Sequence, residues 1–133
     1  MIVVDSSALA AFIRKEPGWE RLVDYVKNSV SMDLAVKEVS NAIWKDYAVR
    51  KLIDYETALA LFKIMSLLVG VNVVLEPEEK YIEEAFKIAL KTDITVYDAL
   101  YIALAKSKNL PLLTLDVKQR KTAEATGVKT ISI

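Results

Sequence analysis

Short apolar runs alternate along this chain with longer stretches of helical periodicity. Residues 2–4, "IVV", are too short for a helix and read as a buried strand. A helix then runs from Ser6 or Ser7 toward Lys15 and is broken by "EPGWE". A second helix covers about 18–28, and 29–32 form a brief strand. Asp33 reads as the N-cap of a long helix over 34–50, with Val36, Val39, Ile43 and Tyr47 on one face. Asp54 caps a helix over about 55–69, which Gly70 ends. "VNVVL" at 71–75 reads as a strand, and Pro77 opens a helix that runs to Lys91. Thr95 caps a helix reaching about Lys108, and 112–115 form a strand. A helix from about 117 ends near Gly127, and "VKTISI" closes the chain as a strand. Strands alternating with helices predict an α/β domain whose mostly parallel sheet, of four or five strands, is covered on both faces. The 55–69 helix is apolar around most of its circumference, with Ala58, Leu59, Leu61, Phe62, Ile64, Met65, Leu67 and Leu68. Such a helix is buried on both sides, either inside the domain or against a partner.

Composition narrows the chemistry. The 133 residues suit a single domain, 1–133, which buries roughly two-thirds of its unfolded surface. Apolar residues make up 53% and the mean hydropathy is +0.26, which excludes a disordered chain. The absence of cysteine removes disulfides and zinc–thiolate sites, and the absence of histidine removes imidazole as base or ligand. Chemistry must then rest on carboxylates, hydroxyls, amines or a bound ion. Lys+Arg and Asp+Glu are both 18, so any basic footprint for nucleic acid is local. The longest uncharged run, Ile64 to Leu75, is too short for a bilayer span of roughly 20 residues. The opening "MIVVD" has no basic signal-peptide region, which predicts a cytoplasmic protein without membrane attachment.

Taken singly, the acidic residues carry little. Asp5 and Asp116 end the apolar runs "IVVD" and "LLTLD", at the sheet edge where open α/β folds bind ligands. An Asp there serves equally well as a helix N-cap. Glu38, Asn41 and Lys45 form one polar stripe, which is the ordinary pattern of a solvated helix face. Thr95 and Asp98 match a capping box. As a set the acids mean more, because each lies at or near the start or end of an element. Carboxylates about 4 Å apart repel by roughly 4 kcal/mol per pair at an effective dielectric of 20. A cluster of them needs a cation, and hard oxygen donors without His or Cys select Mg²⁺ or Mn²⁺. Metal-assisted phosphodiester hydrolysis is the matching reaction class.

The order of four motifs, "VVDSSALAA", "AVKEVSNAIWK", "TVYDALYIALA" and "LLTLD", resembles the PIN-domain nucleases, and among them the VapC-type toxins of toxin–antitoxin pairs. The resemblance covers essentially the whole chain and implies a three-layer α/β/α fold. It implies that Asp5, Glu38, Asp98 and Asp116 hold one or two Mg²⁺ or Mn²⁺ ions and carry the catalysis. Ser7 and Thr114 match positions where small hydroxyl residues stand beside the site, and Asn41 matches the Asn after the family's Glu. The activity implied is RNA cleavage within the chain, and the partners implied are a VapB-type antitoxin and a second copy of the same chain. Arg14, Lys45, Lys118, Arg120 and Lys121, near the acids in sequence, are candidate contacts to the RNA backbone, against the commoner reading of solvated surface.

Trp19, Trp44, Tyr97 and Tyr101 are candidate base-stacking residues, but their helical spacing among Ala and Leu favours core packing. Two other readings remain open. A phosphoacceptor signalling domain is also α/β with an Asp after a strand, yet it leaves Glu38 and Asp98 unexplained. A PIN scaffold without catalysis would bind RNA or protein only.

Overall fold

The strands β1 (Ile2–Val4), β2 (Ser29–Met32), β3 (Val73–Glu76) and β4 (Leu112–Leu113) form one sheet in which every pairing is parallel, in the order β3-β2-β1-β4. The structure is a computed structural model and describes residues 1–133. Every residue of β1, β2 and β4 is buried, as a parallel sheet between two helical layers requires. The chain winds from β1 to β2 to β3 in one direction, then lays β4 on the other side of β1. The strand order therefore switches between β1 and β4, and the loops leaving their carboxyl ends part to form a crevice.

Helices α1 (Ser6–Ile13), α2 (Val23–Val26), α3 (Leu34–Ala48) and α4 (Tyr55–Leu68) cover one face. The other carries α5 (Ile82–Lys91), α6 (Val96–Lys108) and α7 (Val117–Ala125), giving three layers. Helix α6 packs on β1, β2, β4, α5 and α7 at once. That surround explains its sequence, because every residue from Ala99 to Ala105 is buried. No helix is long and apolar enough to cross a membrane.

Several expected boundaries moved, each for a local reason. Asp33 is already helical and does not cap α3; its carboxylate instead accepts the Glu78 amide at 3.0 Å. Pro77 leads into a single 3-10 turn, Glu78–Lys80, and α5 starts only at Ile82. Gly70, at φ +84°, turns the chain so that its amide meets the Val73 carbonyl, which delays β3 by two residues. The 18–28 helix is a 3-10 turn, Trp19–Leu22, running into α2. The closing "VKTISI" makes a single bridge, Leu112 to Thr130, and no fifth strand. Helix α4 is not buried within the domain: Leu59, Phe62, Ile64 and Leu67 are exposed and only Met65 is fully buried. Among the aromatics, Tyr101 is core, Trp19 half-buried, and Trp44 and Tyr97 exposed.

One ion-pair cluster ties the first layer together. Arg14, at the end of α1, donates from Nε and Nη2 to the two oxygens of Asp46 on α3, at 2.8 and 2.9 Å, and Arg50 adds a third bond at 2.9 Å. Asp46 is only 6% exposed, and Arg14 holds its carboxyl below the usual carboxylate range. Removing one partner strands the other, so Asp46→Asn should cost about 2 kcal/mol at pH 7 in chemical denaturation. A depressed folded pKa contributes stability above the unfolded value, near 3.8, and loses it as pH falls below. Wild type and variant should therefore converge as the pH drops beneath 3.8. A constant gap across that range would show that the cluster's charge contributes nothing.

Candidate metal centre

The carboxyl ends of β1 and β4 open into a cavity of about 590 Å³ lined by all four predicted acids, Asp5, Glu38, Asp98 and Asp116, together with Ser7, Asn41, Arg14, Glu16 and Gln119. Each acid arrives on a different element. Asp5 leaves β1 and caps α1, accepting the Ala8 amide at 3.0 Å on Oδ1. Asp116 leaves β4 and caps α7, accepting the Gln119 amide at 2.9 Å on Oδ1. Asp98 sits in the first turn of α6, whose Thr95 hydroxyl accepts the Asp98 amide at 3.3 Å. Glu38 projects from the second turn of α3. The capping roles and the shared cavity are both real, since a cap needs one carboxylate oxygen or only the backbone.

Hydroxyls organise Asp5. Ser7 donates to Oδ1 at 2.7 Å and Thr114 to Oδ2 at 2.6 Å. Ser7 in turn accepts the Leu115 amide at 3.0 Å, and Thr114 accepts the Asp116 amide at 3.0 Å, which binds the two strand ends together. Burial pushes the Asp5 carboxyl up to about 6 in spite of the bonds from Thr114, Ala8 and Ser7, and the Asp98 charge adds to the rise. Asp98 is raised by burial first, then by Asp116 and Glu38, with Lys118 opposing. The acids thus feel one another's charge. Arg14 is the one cation on the cavity wall, and Asp46 already holds its guanidinium.

The predicted set is brought together unevenly. The four acids, Ser7 and Asn41 line the cavity, and Thr114 stands behind Asp5. Of the five cations, Arg14 lines it and Lys118, paired with Asp93 at 3.2 Å, is close enough to lower Asp98. Lys45, Arg120 and Lys121 are not part of the wall. Two residues went unread. Gln119, the only glutamine in the chain, is 2% exposed and donates to the Asp98 carbonyl at 3.2 Å while its Oε1 lies 3.2 Å from the Thr114 hydroxyl. Tyr101, whose spacing predicts core packing, is core but also donates to Glu38 Oε1 at 2.6 Å. Both stand three residues after an acid, on the same helix face, and that spacing is the sequence signal by which they could be found.

The donors fit a hard divalent ion in kind and in charge. They are all oxygens, and their mutual repulsion is relieved only in part, by Lys118 at Asp98. No three of them form a ready-made ligand cage. An ion of the Mg²⁺ type keeps several waters and takes few carboxylates directly.

The PIN domain family model matches residues 2–125. The chain is 37% identical over 119 residues to the ribonuclease VapC3 of Pyrobaculum aerophilum, covering 86% of this chain and 88% of that protein. It is 27% identical to the exonuclease VapC9 of the same organism, over 98% and 92% of the two chains. Its fold is similar to VapBC2 of Rickettsia felis, crystallised with a DNA fragment from its promoter, with a TM-score of 0.68, 14% identity and 98% of each chain covered.

Proposed function

The chain belongs to the PIN-domain family, and from that premise we propose that it is a Mg²⁺- or Mn²⁺-dependent ribonuclease, the VapC-type toxin of a toxin–antitoxin pair acting in the cytoplasm. The observation that carries this reading is the convergence of Asp5, Glu38, Asp98 and Asp116 on one cavity at the switch in strand order. A phosphoacceptor domain has no use for Glu38 and Asp98 in that cavity, and a scaffold has no use for four acids that repel one another.

When bound, one or two ions supply a nucleophilic water acidic enough to react near neutral pH and offset charge on the phosphoryl oxygens. The protein's part is orientation. Ser7 and Thr114 lock both oxygens of Asp5, so the carboxylate does not rotate. Gln119 fixes the start of α6 and with it Asp98. Asp116 and Asp98 keep oxygens free for the ion, and Asn41 lines the wall beside Glu38. Arg14, Lys45, Lys118, Arg120 and Lys121 are the candidate contacts for the RNA backbone. The exposed apolar groove between α3 and α4, with Trp44, Tyr47, Tyr55, Leu59 and Phe62, is the surface for protein contacts, a VapB-type antitoxin and a second copy of the chain.

Purified protein should cut total cellular RNA with Mn²⁺ or Mg²⁺ present, stop in EDTA, and resume when the ion is restored. End-mapping should find internal cuts, whereas release of single nucleotides would make it an exonuclease like its relative VapC9. Undiminished cleavage in EDTA would sink the metal assignment, and no cleavage of any RNA would sink the nuclease.

A further inference from the structure

Glu38 stands apart from the hydrogen-bond web of the other acids. Thr114, Ser7 and Gln119 tie together Asp5, Asp116 and the start of α6, all near the switch point. Glu38 comes from α3, in the opposite helical layer. A glutamate on a helix face has three rotatable bonds, and freezing them costs up to about 2 kcal/mol. One group in the protein holds it: the Tyr101 phenol, which donates to Oε1 at 2.6 Å. The second oxygen, Oε2, has no hydrogen bond from the protein.

Tyr101 is an unusual choice if packing is its only task. It is 1% exposed, inside a run of seven buried residues on α6 that is otherwise Ala, Leu and Ile. A buried hydroxyl must be satisfied or it costs stability, and phenylalanine would fill the same space without that demand. The phenol is instead aimed across the sheet edge at Glu38, which has no other hydrogen-bond partner in the protein. Burial and the neighbouring Glu38 charge raise its pKa, so it remains a donor at every working pH. Tyr101 lies one helical turn after Asp98, so the same face of α6 carries one acid of the site and orients another.

We propose that Tyr101 is a positioning residue for the cation: its phenol pins Glu38 Oε1 so that Oε2 is presented to the cavity. The inference rests on the reading of the cavity as a divalent-ion site. Partners behind metal ligands are typically worth 10- to 100-fold in metal affinity. Tyr101→Phe removes one oxygen and leaves the packing, and the Glu38 carboxylate it frees is half-exposed and can hydrate.

The test is Mn²⁺ binding, followed by electron paramagnetic resonance without RNA, for wild type, Tyr101→Phe, Glu38→Gln and the double variant. Circular dichroism in EDTA serves as the folding control. Tyr101→Phe should bind Mn²⁺ about 10- to 100-fold more weakly than wild type. In the Glu38→Gln background the same change should have almost no effect, because the phenol acts through that carboxylate. Equal affinity in wild type and Tyr101→Phe overturns the proposal and leaves the metal site standing. An equal loss in both backgrounds overturns it too, by making Tyr101 a general support of the fold. No Mn²⁺ binding by wild type overturns the reading of the site itself, and this inference with it.

Discussion

Asp98→Asn should lower RNA cleavage by about 10²- to 10³-fold, the range for removing one preorganised charge at a reacting centre, while the protein stays folded. Asp98 is the acid that senses most of the others, with Asp116 and Glu38 both raising its pKa after burial. Asparagine keeps the size of the side chain and deletes the charge. The helix start survives, because the bond to Thr95 comes from the backbone amide of residue 98. Loss of a negative charge in the first turn of α6 removes about 0.3–1 kcal/mol of dipole stabilisation. Relief of repulsion from Asp116 and Glu38, and of the burial penalty, acts in the other direction. The melting temperature should therefore be unchanged or slightly higher. The decisive pair of measurements is the single-turnover cleavage rate with saturating Mn²⁺ and a thermal melt in EDTA. Wild-type cleavage by this variant would remove Asp98 from the site, and collapse of the fold would make it a structural cap only.

Asp5→Asn should separate function from stability in the opposite direction to most site changes. Cleavage should be lost, yet the metal-free protein should become more stable at pH 8. The folded carboxyl titrates near 6 and the unfolded one near 3.8. A raised folded value means that the folded state keeps a proton that the unfolded chain has already released. The penalty is therefore absent below 3.8, grows through the interval, and is complete above about 6. At about 1.36 kcal/mol per pH unit, the full penalty is on the order of 3 kcal/mol. Asparagine avoids it and can still meet every partner. Its Oδ1 takes the Ser7 hydroxyl and Ala8 amide, and its Nδ2 can donate to Thr114, whose own proton then turns to Gln119. Denaturation in EDTA should show the variant more stable by about 2–3 kcal/mol at pH 8 and level with wild type at pH 4. Mn²⁺ should close the gap, since an ion at 100 times its Kd adds about 2.7 kcal/mol to the protein that binds it. A variant less stable than wild type at pH 8 would mean that the Asp5 charge is a net support of the fold.

Much of this molecule is local and was legible as such. The apolar run before Asp5, the Thr95 cap of α6, the Asp54 cap of α4 and the parallel α/β class follow from hydrophobic period and cap chemistry, which act over a few residues. The four acids and their order follow from motif. Asp33, Pro77 and the closing strand misled because their fates depend on distant partners: the Glu78 amide, the turn before Tyr81, and a single bridge to Leu112. Helix α4 reads as buried because its apolar content is visible, while the direction each side chain faces is set by α3 and solvent.

By itself, then, the sequence determined which residues were available for chemistry and what element each would start or end. The tertiary structure decided that they meet. The order β3-β2-β1-β4 set Asp5 beside the end of β4, and the bonds that complete the site span 109 residues from Thr114 to Asp5 and 63 from Tyr101 to Glu38. Period and capping carry no information over such distances. Only burial of a common core brings those groups within 3 Å, and only there does the phenol of a core tyrosine become part of a site.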